Sequence, residues 1–372
     1  MRIPFNDPFI SENCGKYIID ALTAKFISGP GLYCSKVNEF LTNHYSSPTR
    51  ITTSCTAALE VAINAIDVGP GDEVILPSYT FTSTANCIVQ KGATPVFVDI
   101  DENLFISVDE VEKAISRNTK AVIAVHIAGN CGELDRLKAL TAIHSIYLIE
   151  DAAQTFGATY KDRLLGTFGD LATVSFHGTK NITCGEGGCI IINNRQLEER
   201  IDIILEKGTN RKQFYDGVVN KYEWLDVGGS YIPSDIIAAF LLANLEQFEY
   251  INNRRMSVWK QYAEFFSENH FEDIRPMIIN THCKHNAHMF YILAKDYIHR
   301  KNIISRLEDY GIGSAFHYIP LHSAPAGRKY GRTSGAMYNT DMVSSRLLRL
   351  PLSVETHVSI VVEVLTKILR DL

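Results

Sequence analysis

Residues 71–101, GDEVILPSYTFTSTANCIVQKGATPVFVDID, contain two short apolar runs that indicate the kind of sheet this chain forms. The runs are EVIL at 73–76 and PVFV at 95–98, and each is continuously apolar rather than alternating. Strands that are buried on both faces of a sheet have this pattern, and a helical segment between two such strands connects parallel neighbours. The spacing therefore predicts a strand–helix–strand unit of a doubly wound α/β fold.

Five further apolar runs extend this pattern over the first 200 residues. They are RITT at 50–53, AVIAVH at 121–126, SIYLIE at 145–150, LATVSF at 171–176 and GCIIIN at 188–193. Helical patterns lie between several of them, for example at 56–66, and Ser107 and Glu110 have the spacing of a capping box. We predict a mainly parallel sheet of seven strands.

The alternation of apolar strand patterns and helical patterns ends at about residue 245. The stretch LEQFEYINNRRMSVWKQYAEFF predicts one long amphipathic helix, and shorter strand and helix patterns follow it. We therefore expect a large α/β domain over residues 1–245 and a smaller C-terminal α+β domain over residues 246–372.

Composition and charge exclude several classes of protein. The net charge of -6 gives no electrostatic footprint for nucleic acid. No apolar stretch approaches the roughly 20 residues that span a bilayer. The first residues, MRIPFNDPFI, lack the apolar core of a signal peptide, and the 8 cysteines form no disulfide framework. We expect a cytoplasmic enzyme that binds neither nucleic acid nor a membrane.

Ligands of open α/β sheets gather beyond the carboxyl ends of the strands, so the residues that follow each strand are the candidates for a site. Ser54 or Thr56 opens the helix after the first strand, where Ala57 would allow an anion to approach free N–H groups. The alternative is an ordinary N-cap. Phe81 follows the second strand, where it could stack on a planar ligand or belong to the core. His126 follows the fourth strand and could face the site or be a satisfied buried histidine.

Two further strands end in groups that carry chemistry. Asp151 follows a run too apolar to hold a carboxylate without a partner, and Gln154 lies one helical turn on. The next strand places Ser175 and His177 on one face and Lys180 in the loop beyond. An anion site, an aromatic ring, a buried acid and a lysine are what pyridoxal phosphate needs. The lysine forms a Schiff base, and the acid holds the pyridine nitrogen protonated.

Five stretches carry a resemblance to a known family: TSCTAALE, GDEVILPSYTFTSTAN, GATPVFVDID, IEDAAQTFGATYKDRLLGTFGD and SFHGTKNITCGEGG. They resemble the DegT/DnrJ/StrS family of nucleotide-sugar aminotransferases, and the similarity extends over nearly the whole chain. The later stretches EKGTNR, HNAHMFYI and FHYIPLH are most similar to the branch that makes dTDP-4-amino-4,6-dideoxygalactose. The resemblance implies the aspartate-aminotransferase fold (fold type I), a pyridoxal 5'-phosphate (PLP) cofactor and a homodimer with active sites at the subunit interface.

The resemblance also implies roles for individual residues. Lys180 would hold the cofactor and move a proton between substrate and cofactor, and Asp151 would pair with the pyridinium nitrogen. The other implied cofactor contacts are Phe81 and Gln154 at the ring, Thr56, Ala57 and Ser175 at the phosphate, and His177 beside the cofactor. Many relatives supply a phosphate-binding asparagine from the partner subunit where this chain has Ile232.

The implied reaction transfers the amino group of L-glutamate to a dTDP-4-keto-6-deoxyhexose for surface polysaccharide synthesis, with 2-oxoglutarate as the other product. Amination at C3, or of a ketosugar on UDP or another nucleotide, is the alternative. A related branch dehydrates sugars with histidine in place of the lysine, so Lys180 favours transamination. The candidates for substrate contacts, each of which could also be a surface or packing residue, are Arg211, Lys221, Tyr222, His317 and His322.

Three other interpretations compete with this one. His282, Cys283, His285 and His288 are chemically plausible zinc ligands, although their spacing matches no familiar closed site, and we predict no metal. A nicotinamide enzyme is disfavoured because no G-x-G-x-x-G follows the first strand. A homologue that binds without catalysis is disfavoured by the intact Asp151 and Lys180.

Overall fold

The structure is a computed structural model that describes residues 2–371. In that part of the chain the strands are β1 (Thr49–Thr52), β2 (Glu73–Pro77), β3 (Thr94–Val98), β4 (Thr119–Val125), β5 (Tyr147–Asp151), β6 (Thr159–Tyr160), β7 (Arg163–Leu164), β8 (Leu171–Ser175), β9 (Gly188–Ile192), β10 (Arg275–Pro276), β11 (Cys283–Lys284), β12 (Phe290–Leu293), β13 (Arg332–Thr333) and β14 (Leu347–Leu350). The α-helices are α1 (Asn13–Thr23), α2 (Leu32–Tyr45), α3 (Cys55–Ala65), α4 (Thr82–Val89), α5 (Val108–Ala114), α6 (Leu134–Ile143), α7 (Glu198–Leu205), α8 (Arg211–Tyr215), α9 (Asp235–Leu245), α10 (Phe248–Glu268), α11 (Tyr297–Asp309), α12 (Pro325–Tyr330), α13 (Tyr338–Arg346) and α14 (Val358–Asp371).

The large sheet has the strand order β1-β9-β8-β5-β4-β2-β3-β13. Its pairs are parallel except that β9 runs antiparallel to both β1 and β8. The seven strands expected from the apolar runs all lie in this sheet. Strand β13 adds an eighth at the edge, and its two exposed residues contain no apolar run that a sequence pattern could detect.

Helices cover both faces of this sheet because its central strands are apolar on both sides. Val74 and Leu76 pack into one apolar cluster with α3 and α7, whereas Ile75 packs into another with α5 and α6. The capping interaction expected from the spacing of Ser107 and Glu110 is present at the start of α5. The Ser107 hydroxyl oxygen accepts a hydrogen bond from the Glu110 N–H at 3.4 Å. The result is the layered α/β architecture that the sequence predicts.

The C-terminal part forms a second, antiparallel sheet of order β10-β12-β14, which packs with α10, α11 and α14 around its own apolar core. Two short segments of this part pair with the preceding part: β11 with β6, and β13 with β3. The long predicted helix is α10, which begins at Phe248. The division of the chain at residue 245 stays a prediction.

None of the helices within residues 2–371 combines the length and the apolar character that crossing a membrane requires.

Candidate active site

A cavity of ≈ 490 Å³ opens beyond the carboxyl ends of three neighbouring parallel strands. The last residues of β4, β5 and β8, which are Val125, Asp151 and Ser175, all line it. This is where an open α/β sheet binds ligands. The predicted site residues that the structure brings together here are Thr56, Phe81, Asp151, Gln154, Ser175, His177, Lys180 and His317.

Lys180 lies in the loop between β8 and β9, and this loop is held as a tight return. The Gly178 N–H donates to the Gly185 carbonyl at 2.8 Å, and Gly185 has a φ of 83° that favours glycine. Burial lowers the pKa of the Lys180 ammonium below its ordinary value and Arg349 lowers it further, while Cys55 and Asp151 act in the opposite direction. A lower pKa increases the fraction of neutral amine, which is the nucleophilic form.

Asp151 is buried at the floor of the cavity with few groups to stabilise its charge. The Thr84 hydroxyl donates to Oδ2 at 2.8 Å, and the Ala153 N–H donates to Oδ1 at 3.3 Å. Burial raises the pKa of the Asp151 carboxyl, and these bonds together with Lys180 and His126 only partly offset that effect. A carboxylate in such a place is completed by a cationic partner, which a protonated ring nitrogen would supply.

The neighbouring Glu150 points to the other side of the sheet and is fully satisfied. It accepts hydrogen bonds from the Gly166, Phe168 and Gly169 N–H groups at 2.9, 2.6 and 2.7 Å. Its Oε2 also lies 2.9 Å from Nε2 of the buried His126. His126 borders the cavity and is paired only at Nε2, because its Nδ1 is enclosed and has no hydrogen-bond partner within residues 2–371. Strand alternation thus gives two adjacent acids different surroundings.

Hydroxyl groups converge at the start of α3, where an anion site is predicted. The hydroxyls of Thr56 and Ser83 lie 2.7 Å apart, and the buried Ser175 lines the same region of the cavity. Ser54 is the N-cap, because its Oγ accepts a hydrogen bond from the Ala57 N–H at 3.0 Å. The N-cap is therefore observed, whereas an anion site at these hydroxyls, with a phosphate contact from Ala57, stays a prediction.

Two of the remaining predicted cofactor contacts, Gln154 and Phe81, lie beside Tyr318, a residue that no sequence pattern pointed to. Gln154 is buried, accepts a hydrogen bond from the Ala128 N–H at 2.7 Å and donates to the Tyr318 hydroxyl at 3.0 Å. The exposed Phe81 has its ring centroid 6.2 Å from that of Tyr318. His177 is exposed at the rim, where its Nδ1 lies 2.9 Å from the Thr179 hydroxyl.

Four of the residues proposed for substrate contacts lie outside the cavity of this single chain. Arg211 is on α8, where its Nη2 donates to the Tyr215 hydroxyl at 2.7 Å. Lys221 and Tyr222 are exposed in the segment that follows. His322 is held by Ser78, whose Oγ lies 2.7 Å from its Nδ1. A substrate role for each of these stays a prediction.

Sequence reasoning missed Arg349 and placed His288 in a different context. Both line the cavity, Arg349 from β14 and His288 from the segment before β12. The available signal for Arg349 was a single charge inside the apolar stretch LLRL. His288 was singled out only as a possible zinc ligand, and its Nδ1 lies 3.0 Å from Oδ1 of Asn181.

The side chains of the alternative zinc set have separate environments. The Cys283 Sγ lies 3.2 Å from the Cys131 Sγ, His285 packs against Trp259, and His288 faces the cavity. Among residues 2–371, no group of three or more His, Cys, Asp or Glu side chains is arranged to hold a metal ion.

Ile232, which takes the place of the partner asparagine of many relatives, is partly buried. It packs against two apolar clusters of its own chain.

A sequence profile of the DegT/DnrJ/EryC1/StrS aminotransferase family matches residues 9–369. The chain belongs to this family. The match spans the cavity and both parts of the fold, so the resemblance that was drawn from short stretches is confirmed at the level of the family.

Individual relatives of this aminotransferase agree with the family. Protein MJ1066 of Methanocaldococcus jannaschii, described as uncharacterized, is 37% identical over an alignment of 359 residues that covers 94% of this chain and 92% of that protein. The GDP-perosamine synthase of Vibrio cholerae is 33% identical over an alignment of 335 residues that covers 87% of this chain and 86% of that enzyme. Spr1654 of Streptococcus pneumoniae, described as a sugar aminotransferase, superposes in its PMP form with a TM-score of 0.92 at 26% identity, with 99% of each chain covered.

The family is PLP-dependent, and Spr1654 has also been solved in a PLP form. The residues of this aminotransferase fit that cofactor. Asp151 is a buried carboxyl of raised pKa that forms no ion pair within residues 2–371, and Lys180, whose pKa is lowered, lines the same cavity. The hydroxyls at the start of α3 would be available to hold its phosphate. The fold, the enzyme class and the cofactor expected from the sequence are thus confirmed.

Proposed function

We propose that this aminotransferase moves the amino group of L-glutamate to C4 of a dTDP-4-keto-6-deoxyhexose, forming dTDP-4-amino-4,6-dideoxygalactose. The observation that carries the transamination is the placement of Lys180 and Asp151 in one cavity at the strand ends. The choice of sugar rests on the stretches EKGTNR, HNAHMFYI and FHYIPLH, which resemble the branch with that product.

The residues of the cavity would have distinct roles in this reaction. When bound, PLP supplies an electron sink that labilises bonds at the amino-bearing carbon. Lys180 would hold the cofactor and then, as a free amine of lowered pKa, move a proton between the substrate carbon and the cofactor. Asp151 would keep the ring nitrogen protonated. The other residues we propose for the cofactor are Thr56, Ala57 and Ser175 at the phosphate, Phe81 and Gln154 at the ring, and His177 at the rim.

One relative supports an alternative in which the sugar is linked to GDP instead of dTDP. The Vibrio cholerae GDP-perosamine synthase is 33% identical over most of its length. Transfer to a GDP-linked 4-keto-6-deoxy sugar is therefore the second candidate. The two candidates share the same cofactor chemistry and differ in the nucleotide that the protein must recognise.

A panel of substrates tests the choice. The purified enzyme is incubated with L-glutamate and with 4-keto-6-deoxyhexoses linked to dTDP, GDP or UDP, and the products are identified by NMR. We expect kcat/KM for the dTDP sugar to exceed the others by at least about 10-fold, the size of effect that a few lost hydrogen bonds produce. The Lys180→Ala variant is the control that gives no product. A preference for the GDP sugar, or an amino group at C3, would contradict the proposal.

We also propose that the enzyme is a homodimer with active sites at the subunit interface. The support is an exposed apolar segment after α8, in which Val218 is 71% exposed, Trp224 80% and Val227 61%. Exposed apolar patches of this kind commonly mark interaction surfaces. Lys221 and Tyr222 lie in the same segment, so a second copy could bring them to a neighbouring site together with Arg211. His317 and His322 remain proposed substrate contacts of the same chain.

The molecular mass of the purified protein in solution tests whether it is a homodimer. Light scattering at micromolar concentration is expected to give twice the chain mass of 41.6 kDa. Replacing the exposed Trp224 with glutamate is expected to shift the mass toward one chain, because a charge is costly in a buried apolar interface. The control, Tyr338→Glu, changes a residue that is also 80% exposed but lies on α13. A wild-type mass of one chain would overturn the dimer.

A further inference from the structure

Arg349 is a cationic side chain in the active-site cavity that has no acidic partner among residues 2–371. Its backbone is fixed in β14, opposite Tyr291 of β12, and its N–H donates to the Ala315 carbonyl at 2.7 Å. Leu348 and Leu350 on either side are buried in the core of the C-terminal part. Strand alternation therefore turns Arg349 away from that core, and it lines the cavity that also holds Lys180.

The guanidinium contacts one hydrogen-bond acceptor and one aromatic ring, and neither carries a negative charge. Its Nη1 lies 3.4 Å from Nδ1 of His317, and its Cζ lies 4.8 Å from the centroid of the Phe5 ring. Its Nε is enclosed and has no hydrogen-bond partner in the described part of the chain. An enclosed positive charge without an anion is costly in free energy, which makes this a place where a bound anion is stabilised.

His317 extends the same pattern. A guanidinium has only donors, so the contact with Arg349 requires the Nδ1 of His317 to be the acceptor. The ring proton then lies on Nε2, which is enclosed and also lacks a partner. Burial, and then the nearby charges of Arg349 and Lys180, hold the pKa of His317 well below its ordinary value, so this ring is a neutral donor at physiological pH. Arg349 and His317 thus offer two unpaired N–H donors.

The position of Arg349 indicates which anionic group of the proposed reaction it binds. This inference rests on the proposed function. The α-carboxylate of an amino acid is bonded to the carbon that bears the amino group, so in transamination it must lie beside the reacting lysine. Arg349 and Lys180 line one cavity and are near enough for Arg349 to lower the lysine's pKa. The diphosphate of a 4-ketosugar is attached at C1, across the sugar ring from C4. The cofactor phosphate has its own hydroxyls at the start of α3.

We propose that Arg349 binds the α-carboxylate of the amino donor, with His317 as a second donor, and so restricts the first half-reaction to α-amino acids. A guanidinium can bind a carboxylate through two parallel hydrogen bonds, and such charge-assisted bonds are stronger than neutral ones. The ketosugar makes no use of this contact at its reacting carbon. Arg349 therefore acts on one half-reaction and leaves the other nearly unchanged.

The experiment follows the two half-reactions of the PLP-loaded enzyme separately by its visible spectrum. The donors are L-glutamate and 4-aminobutyrate, which is glutamate without its α-carboxylate. We expect wild type to prefer glutamate, and Arg349→Gln to raise the glutamate concentration at half-maximal rate by about 10- to 100-fold, the effect of losing a charge-assisted pair. Its rate with 4-aminobutyrate, and that of its aminated form with the ketosugar, should stay within about 3-fold. Arg349→Lys should retain part of the glutamate affinity.

Two controls keep the result interpretable. Arg346→Gln changes an arginine three residues earlier that does not line the cavity, and it should behave as wild type. Bound cofactor and melting temperature show whether the Arg349 variants fold, and the donor preference of wild type needs no variant.

The outcomes separate this inference from the proposed function. Equal wild-type rates with glutamate and 4-aminobutyrate, or an Arg349→Gln variant that loses affinity for the ketosugar but not for glutamate, would overturn the role of Arg349 and leave transamination intact. If no nucleotide sugar accepts the amino group, the proposed sugar is wrong, while the first half-reaction still decides the role of Arg349.

Discussion

Replacing Lys180 with alanine is expected to lower the rate of amino transfer by at least about 10⁴-fold, the upper range for the loss of a positioned acid–base group. The same side chain would hold the cofactor and transfer the proton, so one substitution removes both functions. The measurement is product formation from L-glutamate and the ketosugar under saturating PLP.

The covalent link gives this prediction a second readout. After borohydride reduction and digestion, mass spectrometry of wild type should find the cofactor mass on the peptide that contains Lys180, and the variant should lack it. Lys16→Ala, which changes an exposed lysine on α1, is the matched control and should keep full activity. If the Lys180→Ala variant retained more than a few per cent of the wild-type rate, the assignment of the catalytic lysine would be wrong.

Replacing Asp151 with asparagine is expected to slow both half-reactions by about 10³-fold, comparable to the loss of a strong preorganised electrostatic contact. The carboxamide has nearly the same shape but cannot stabilise a protonated ring nitrogen, so the cofactor loses much of its electron-withdrawing power. Stopped-flow rates with glutamate and with the ketosugar measure the two halves.

Thr84→Val is the graded control for this prediction. It removes the hydroxyl that donates to Asp151 Oδ2 at 2.8 Å but retains the carboxylate. The expected loss is about 10-fold, since one hydrogen bond to a charged group is removed. An Asp151→Asn variant that is no slower than Thr84→Val would show that the charge of Asp151 is not required.

The parts of this enzyme that could be predicted from its sequence are those encoded by short, local patterns. The buried strands appear as apolar runs. Asp151 stands out because it follows one such run directly, and Lys180 because it lies in the loop just beyond another. Carboxyl ends of parallel strands meet at one edge of a sheet, so linear position was enough to bring these two residues together.

Other parts depend on contacts that no local pattern records. Arg349 reaches the cavity from β14, almost 170 positions after Lys180, and a single arginine in an apolar strand is equally consistent with a solvent-facing position. Thr84 contacts Asp151 only because α4, which packs on α3, β2 and β3, brings this hydroxyl to the end of β5. In the sequence that hydroxyl looks like any other in the stretch TFTSTAN. Strand β13 has two residues, too few for any periodicity.

The adjacent acids Glu150 and Asp151 have different roles: Glu150 stabilises the fold, and Asp151 is proposed to act in catalysis. Glu150 anchors three backbone N–H groups and His126, so a lineage that lost it would lose the architecture around β5. The side chains of Asp151 and Lys180 make fewer contacts that hold the backbone in place. We therefore expect that a substitution at Asp151 or Lys180 would remove catalysis and leave a folded, ligand-sized cavity, so that an enzyme of this kind could become a ligand-binding protein through one change.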